Sequence, residues 1–131
     1  MIYLDSSALI KLVHGEAESP ALEEWIVAHH GPRHVTSELA RLEVIRACRR
    51  HFADALPHTR AHLGSLDVVA LTADIIEDAA EMGDPWLRSL DAIHLASALA
   101  IREELTGFVT YDRRLFDAAK AEGLDPVRPG A

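Results

Sequence analysis

Four acidic residues stand where chemistry can be done. Asp5 follows the apolar run Ile2-Tyr3-Leu4 and precedes two hydroxyl residues, Ser6 and Ser7. Glu43 lies one to two turns into the segment after Ser37. Asp91 sits in Ser89-Leu90-Asp91-Ala92-Ile93-His94-Leu95-Ala96, and Asp112 closes Phe108-Val109-Thr110-Tyr111-Asp112. Singly, each has an ordinary explanation: Asp5 a strand-end cap, Asp91 an acid favoured by a helix dipole, Glu43 and Asp112 surface charges or caps. Gathered in one dry cleft they repel one another, and a cation must offset that repulsion or some must hold protons. Oxygen-only donors favour Mg²⁺, with Mn²⁺ as a substitute, over zinc. Such an ion polarises a phosphodiester and activates water. Asp5 and Asp91, on short side chains, are the expected direct ligands; Glu43 is expected to act through water. The hydroxyls of Ser6 and Thr110 are placed to orient the carboxylates.

The elements that must position these residues alternate in type. Ile2 to Leu4 reads as a strand, followed by a helix over Ala8 to His14 capped by Ser6 or Ser7. A second helix is expected over Glu16 to Ala28, with Pro20 in its first turn and His29-His30-Gly31-Pro32 as its stop. His34-Val35-Thr36 is a strand, and Ser37 caps a helix from Glu38 to Phe52 with Leu42, Ile45 and Cys48 inward. Pro57 opens a helix through Leu63. Leu66 to Leu71 is a strand, and Thr72 caps a helix running to Met82. Leu87 to Leu105 reads as a buried helix ended by Gly107. Phe108 to Tyr111 is a strand, Arg114 to Glu122 a helix, and Leu124 to Val127 a short last strand. This alternation predicts an α/β fold, a mostly parallel sheet of four to five strands with helices on both faces. In such a sheet the strand ends and following helix starts share one edge, so all four acids can reach one cleft.

The 131 residues are one domain's worth, read as a single domain over 1–131; 49% are apolar and 26% charged, ordinary for a globular protein. No run suits a membrane helix and no signal-like segment is visible; Cys48 is the single cysteine, which excludes a disulfide framework and a thiolate metal site. A reducing cytoplasm is the expected location. The net charge of −8 weighs against nucleic-acid binding at first sight. Yet Arg41, Arg46, Arg49 and Arg50 crowd one segment, and Arg46 and Arg50 share the side of the helix that carries Glu43. They are the candidates to hold a phosphate backbone, with plain ion pairing the alternative; Arg113 and Arg114 are weaker candidates of the same kind.

These residues carry a resemblance. Tyr3-Leu4-Asp5-Ser6-Ser7-Ala8-Leu9, Ser37-x5-Glu43, Leu90-Asp91-Ala92-Ile93-His94-Leu95-Ala96 and Phe108-Val109-Thr110-Tyr111-Asp112-x2-Leu115 resemble the PIN-domain ribonucleases, most closely the VapC-type toxins of type II toxin–antitoxin pairs. The match runs from Ile2 to about Gly123. It implies a PIN-like three-layer α/β/α fold and a Mg²⁺-dependent endoribonuclease that cuts structured RNA, tRNA or ribosomal RNA, and so blocks translation. By position Asp5, Glu43, Asp91 and Asp112 match the family's acidic quartet. The resemblance also implies a homodimer and a cognate VapB-like antitoxin that covers the cleft.

Other readings weigh less. An aspartyl-phosphate phosphotransferase needs a second Asp two positions after the first, where this chain has Ser7, and a Lys near the site; Lys11 and Lys120 do not follow strands. A receiver-like module lacks its Lys after a late strand. A housekeeping RNA-processing nuclease of the same fold and a non-catalytic metal- or RNA-binding module stay open. His94, three residues after Asp91, is read as a hydrogen-bonded structural histidine. His29, His30, His34, His51, His58 and His62 are read as surface residues. Trp25, Leu9, Leu12 and Leu22 are expected to pack the first two helices together, and Cys48 to be a small buried hydrophobe.

Overall fold

The computed structural model describes residues 1–29 and 31–131; His30, part of the expected stop signal, lies outside the described residues. The chain runs β1 (Ile2–Leu4), α1 (Ser6–Val13), α2 (Ser19–Ala28), β2 (His34–Ser37), α3 (Glu38–His51), a 3₁₀ turn (Ala53–Ala55) and α4 (Leu56–Gly64). It continues through β3 (Asp67–Val69), α5 (Ala73–Ala80), α6 (Ser89–Ala100), a second 3₁₀ turn (Arg102–Glu104), β4 (Gly107–Val109), α7 (Arg113–Ala121) and β5 (Pro126–Val127).

All five strands are parallel, in the order β3-β2-β1-β4-β5. Side chains alternate across the sheet with period two. Ile2, Leu4 and Val109 point to one face, where Leu9, Leu22, Val44 and Leu63 from α1 to α4 cover them. Tyr3, Val35 and Phe108 point to the other, beneath Leu95 and Ala98 of α6 and Leu115 and Ala119 of α7. Tyr3 stacks on Phe108 at 5.2 Å between ring centroids, a cross-strand aromatic pair that locks the β1–β4 register. A smaller cluster of Ile75, Ala79, Ala92 and Ala96 joins α5 to α6. This is the expected three-layer α/β/α arrangement.

The order matters for the site. The chain leaves β1 for β2 and β3 on one side, then returns to lay β4 and β5 on the other. Between β1 and β4 the winding reverses, so the segments after these two strands share the carboxyl edge, where α/β sheets place their sites.

Several details differ from the sequence reading. Leu42, expected inward on α3, is 57% exposed, and the buried stripe is Ala40, Val44 and Cys48. The helix expected over Leu87 to Leu105 is shorter, Ser89–Ala100, with Leu90 at its exposed face. Gly107 is not a helix cap but the first residue of β4, where an added Cβ would meet Trp25 at 3.1 Å. His34 and His62 are half-buried rather than on the surface, and burial holds both below the usual histidine range. Trp25, Leu9, Leu12 and Leu22 join one core cluster, and Cys48 is fully buried.

Candidate active site

Asp5 is the residue that β1 delivers to this edge. Its backbone is extended and its side chain caps α1, accepting the Ala8 amide at 2.9 Å. Ser6 and Ser7 are therefore helix residues, not caps. The Asp5 carboxylate is only 3% exposed, and the bonds it receives come from the first turn of α1 and from the segment after β4. Oδ1 also accepts the Ser7 hydroxyl at 2.6 Å, and Oδ2 accepts the Thr110 hydroxyl at 2.6 Å. Burial pushes its pKa up, against the opposing pull of the His94 ring, the two hydroxyls and the Ala8 amide.

Thr110 does a second job. Its Oγ1 accepts the backbone N–H of Asp112 at 3.1 Å, so one hydroxyl joins the acids that follow β1 and β4. Ser7 acts in parallel, its Oγ accepting the Tyr111 N–H at 2.9 Å while it donates to Asp5. Asp112 itself caps α7 through the Leu115 amide at 2.9 Å. Its other oxygen takes Arg88 Nη2 at 3.0 Å, and the same guanidinium reaches Asp91 Oδ2 through Nε at 3.4 Å. Asp91 is mostly buried in the first turn of α6; burial and the charge of Asp112 raise its pKa, and Arg88 works against them.

Glu43 enters from α3. Its Oε1 accepts the Ser6 hydroxyl at 2.7 Å and lies 3.1 Å from His94 Nε2. The far side of that imidazole, Nδ1, is 2.8 Å from the Tyr3 hydroxyl. Burial, then the charges of Asp5 and Glu43, hold Tyr3 protonated well above the usual phenol range. With the Tyr3 hydroxyl donating to Nδ1 of the neutral ring, Nε2–H faces Glu43 and, at 3.2 Å, Ser6. Burial pushes Glu43 up, but the bonds from His94 and Ser6 and the nearby Arg88 charge outweigh it, so Glu43 is held below its usual value. His94 is the hydrogen-bonded structural residue expected from the sequence, and its bond partner is one of the acids.

All four acids stand on the carboxyl edge: Thr110 joins Asp5 to the Asp112 backbone, Arg88 joins Asp112 to Asp91, and Glu43 is held beside them by Ser6 and His94. The arrangement is looser than a ready-made ligand cage. Among the described residues no three His, Cys, Asp or Glu side chains gather closely enough to hold one ion as they stand, Asp5 and Asp91 included. The donor chemistry nevertheless fits a hard divalent cation. Every acidic donor is a carboxylate oxygen, burial disfavours the charged forms of Asp5 and Asp91, and a cation, the 65% exposed Arg88 side chain, already pairs with Asp91 and Asp112. Arg88, Ser7 and Tyr3 were not singled out from the sequence. For Arg88 a signal existed, a cation three residues before Asp91 on one helix face. Arg46, Arg49 and Arg50 line one exposed hollow on α3, and no ion pair involves them among the described residues.

The chain belongs to the PIN domain family: the PIN domain model matches residues 2–121. Within the family the chain groups with the VapC proteins. It is 42% identical to ribonuclease VapC47 of Mycobacterium tuberculosis, over 100% of this chain and 98% of that one. It is 45% identical to ribonuclease VapC35 of the same organism, over 99% and 98% of the two chains. The crystal structure of Mycobacterium tuberculosis VapC20, a sarcin–ricin loop cleaving toxin, superposes with a TM-score of 0.76 at 22% identity, covering 98% of this chain and 100% of that one. A chain from a toxin–antitoxin complex of Klebsiella pneumoniae gives 0.71 at 22% identity, covering 88% and 90%. At that identity these two likenesses speak for the fold. No helix among the described residues is long and apolar enough to cross a membrane.

Proposed function

We propose that the protein is a Mg²⁺-dependent endoribonuclease toxin that cuts structured RNA and blocks translation, the whole chain acting as one domain in the cytoplasm. The observation that carries the reading is the Thr110 hydroxyl, which binds Asp5 and receives the Asp112 amide and so ties the acids after β1 and β4 into one edge. The full-length relatives named as ribonucleases support it.

Asp5 and Asp91 would hold the divalent ion, Mg²⁺ or Mn²⁺, with Asp112 beside them; the ion would supply Lewis acidity at a phosphodiester oxygen and lower the pKa of bound water. The remaining roles belong to the chain. Glu43, kept ionised by His94 and Ser6, accepts the proton of the attacking water. Tyr3 and His94 fix the direction of that carboxylate from the core side. Arg88 places positive charge where the phosphate oxygens become more negative in the transition state. Arg46 and Arg50 hold the RNA backbone beside the acids. A VapB-like antitoxin neutralises the enzyme by covering the acidic edge, and the exposed apolar side chains Leu42, Ile76 and Leu90 support partner surfaces, a second copy of the chain among them.

The test is cleavage of total bacterial RNA by purified protein in Mg²⁺ or Mn²⁺, beside an EDTA sample and an Asp5→Asn, Asp91→Asn double variant. Discrete products that vanish in both controls are the expected result. Intact RNA after incubation with folded, metal-loaded, partner-free protein would overturn the reading.

A further inference from the structure

Trp86 is 84% exposed, the most exposed of the large apolar side chains. An indole left in water forgoes a large burial energy, but a single exposed hydrophobe is ordinary on a protein surface, so its placement decides whether it has a use. Its position is built into the backbone. The Trp86 amide donates to Asp84 Oδ1 at 2.7 Å, and the Leu87 amide to the Asp84 carbonyl at 3.1 Å. Gly83 turns the chain at φ +72°, with Leu87 Cδ2 only 2.8 Å from where a Cβ would lie. The Leu87 side chain is thus wedged against the turn, and the indole beside it projects outward.

Two residues further on, Arg88 reaches both Asp91 and Asp112. Trp86 therefore lies two residues from a guanidinium that contacts the acidic edge, and it lines a neighbouring hollow of about 810 Å³ that Arg114 of α7 also borders and to which none of the four acids contributes. The rest of that hollow decides what it suits. Glu81, Asp84, Asp117 and Glu122 line it and repel a phosphate. A nucleobase is uncharged, offers a flat face to an indole, and carries amino groups that donate to carboxylates. Resting on the RNA-cleaving reading above, we infer that Trp86 is a stacking platform for an unpaired RNA base next to the phosphate held at the acids.

The inference assigns Trp86 a positioning role. Binding is measured with a short mixed-sequence single-stranded oligoribonucleotide in EDTA, which keeps it intact. RNA quenches the indole emission of the wild type. Trp86→Phe binds nearly as well but loses the quenching, because the remaining Trp25 sits in the core. Trp86→Ala binds about tenfold more weakly, the scale of one lost base–aromatic stack, and raises KM more than it lowers kcat on a cleaved RNA. Circular dichroism shows all three folded, since the side chain removed lies in solvent. Trp86→Ala that binds and cuts RNA like the wild type would overturn the inference while leaving the nuclease reading intact. So would loss of a protein inhibitor's grip with RNA binding unchanged, which would make Trp86 a protein contact. A wild type that neither binds nor cuts any RNA would remove both readings.

Discussion

Asp5 shows what a single site residue costs its host. It is buried, accepts three hydrogen bonds, and still has a raised pKa because desolvation outweighs them. Well below pH 3.8 the folded and unfolded chains both carry the proton; between 3.8 and the higher folded-state value only the folded chain does. The folded chain binds more protons in that window, so its stability falls as pH rises through it and stays lower above. Asp5→Asn removes that loss. Its melting temperature at pH 7 should exceed the wild type's by a few degrees, the gain fading as the pH approaches about 4, and a thermal scan at several pH values checks this. Tyr3→Phe should act in the other direction. It leaves His94 Nδ1 buried without a donor, and urea unfolding should show a loss of about 1–3 kcal/mol with an unchanged m-value. At this scale Asp5, Asp91 and Asp112 were legible because each follows an apolar strand or opens a helix, whereas Glu43 lies more than a turn into α3 and stood out only through its neighbours. Tyr3 was not, since its hydroxyl's partner lies on α6 and nothing local in Ile2-Tyr3-Leu4 points there.

Elements were legible where their ends carry chemistry. Ser37 and Thr72 cap α3 and α5 as their types require, accepting the Leu39 amide at 3.2 Å and the Ile75 amide at 3.2 Å. Where the end is set by packing, the reading failed. Gly107 looked like a helix cap, but the helix stops earlier and Gly107 begins β4, its lack of a side chain making room for Trp25. Leu42 looked inward by type, yet the stripe of α3 that meets α1 is chosen by the sheet behind it, and small Ala40 and Cys48 fit there instead. The turn between α5 and α6 offers a test at this level. Gly83→Ala puts a Cβ into a left-handed backbone and against Leu87, so it should destabilise by about 1–2 kcal/mol and shift the Trp86–Arg88 segment. Unfolding by urea measures the first effect, and a change in Trp86 emission the second.

For the molecule as a whole, the alternation of strands and helices predicted the layers, but not the strand order. Nothing local tells β4 to insert beside β1 rather than beyond β3; that choice is made by the stacked Tyr3 and Phe108 and by the crossover past α6. Charge is organised at the same scale. The chain carries −8 overall, while Arg46, Arg49 and Arg50 make a basic hollow on α3. RNA binding by this molecule should therefore be local and strongly ionic. An Arg46→Ala, Arg50→Ala variant should bind an oligoribonucleotide more weakly and with a salt slope shallower by about 1–2, as a filter-binding titration over several salt concentrations would reveal; unchanged slopes would assign these arginines to solvent alone.

The bond between Thr110 and Asp5 joins residues 105 positions apart, and β1 needs β4 as its neighbour before the acidic edge has a second wall. A ribosome still threading α6 has already released Asp5 and Glu43, yet the sheet around them is half built and Asp112 has not emerged. For an enzyme of the proposed kind, destructive capacity thus appears only after β4 and Asp112 have left the ribosome, and products that terminate before β4 lack the closing wall altogether.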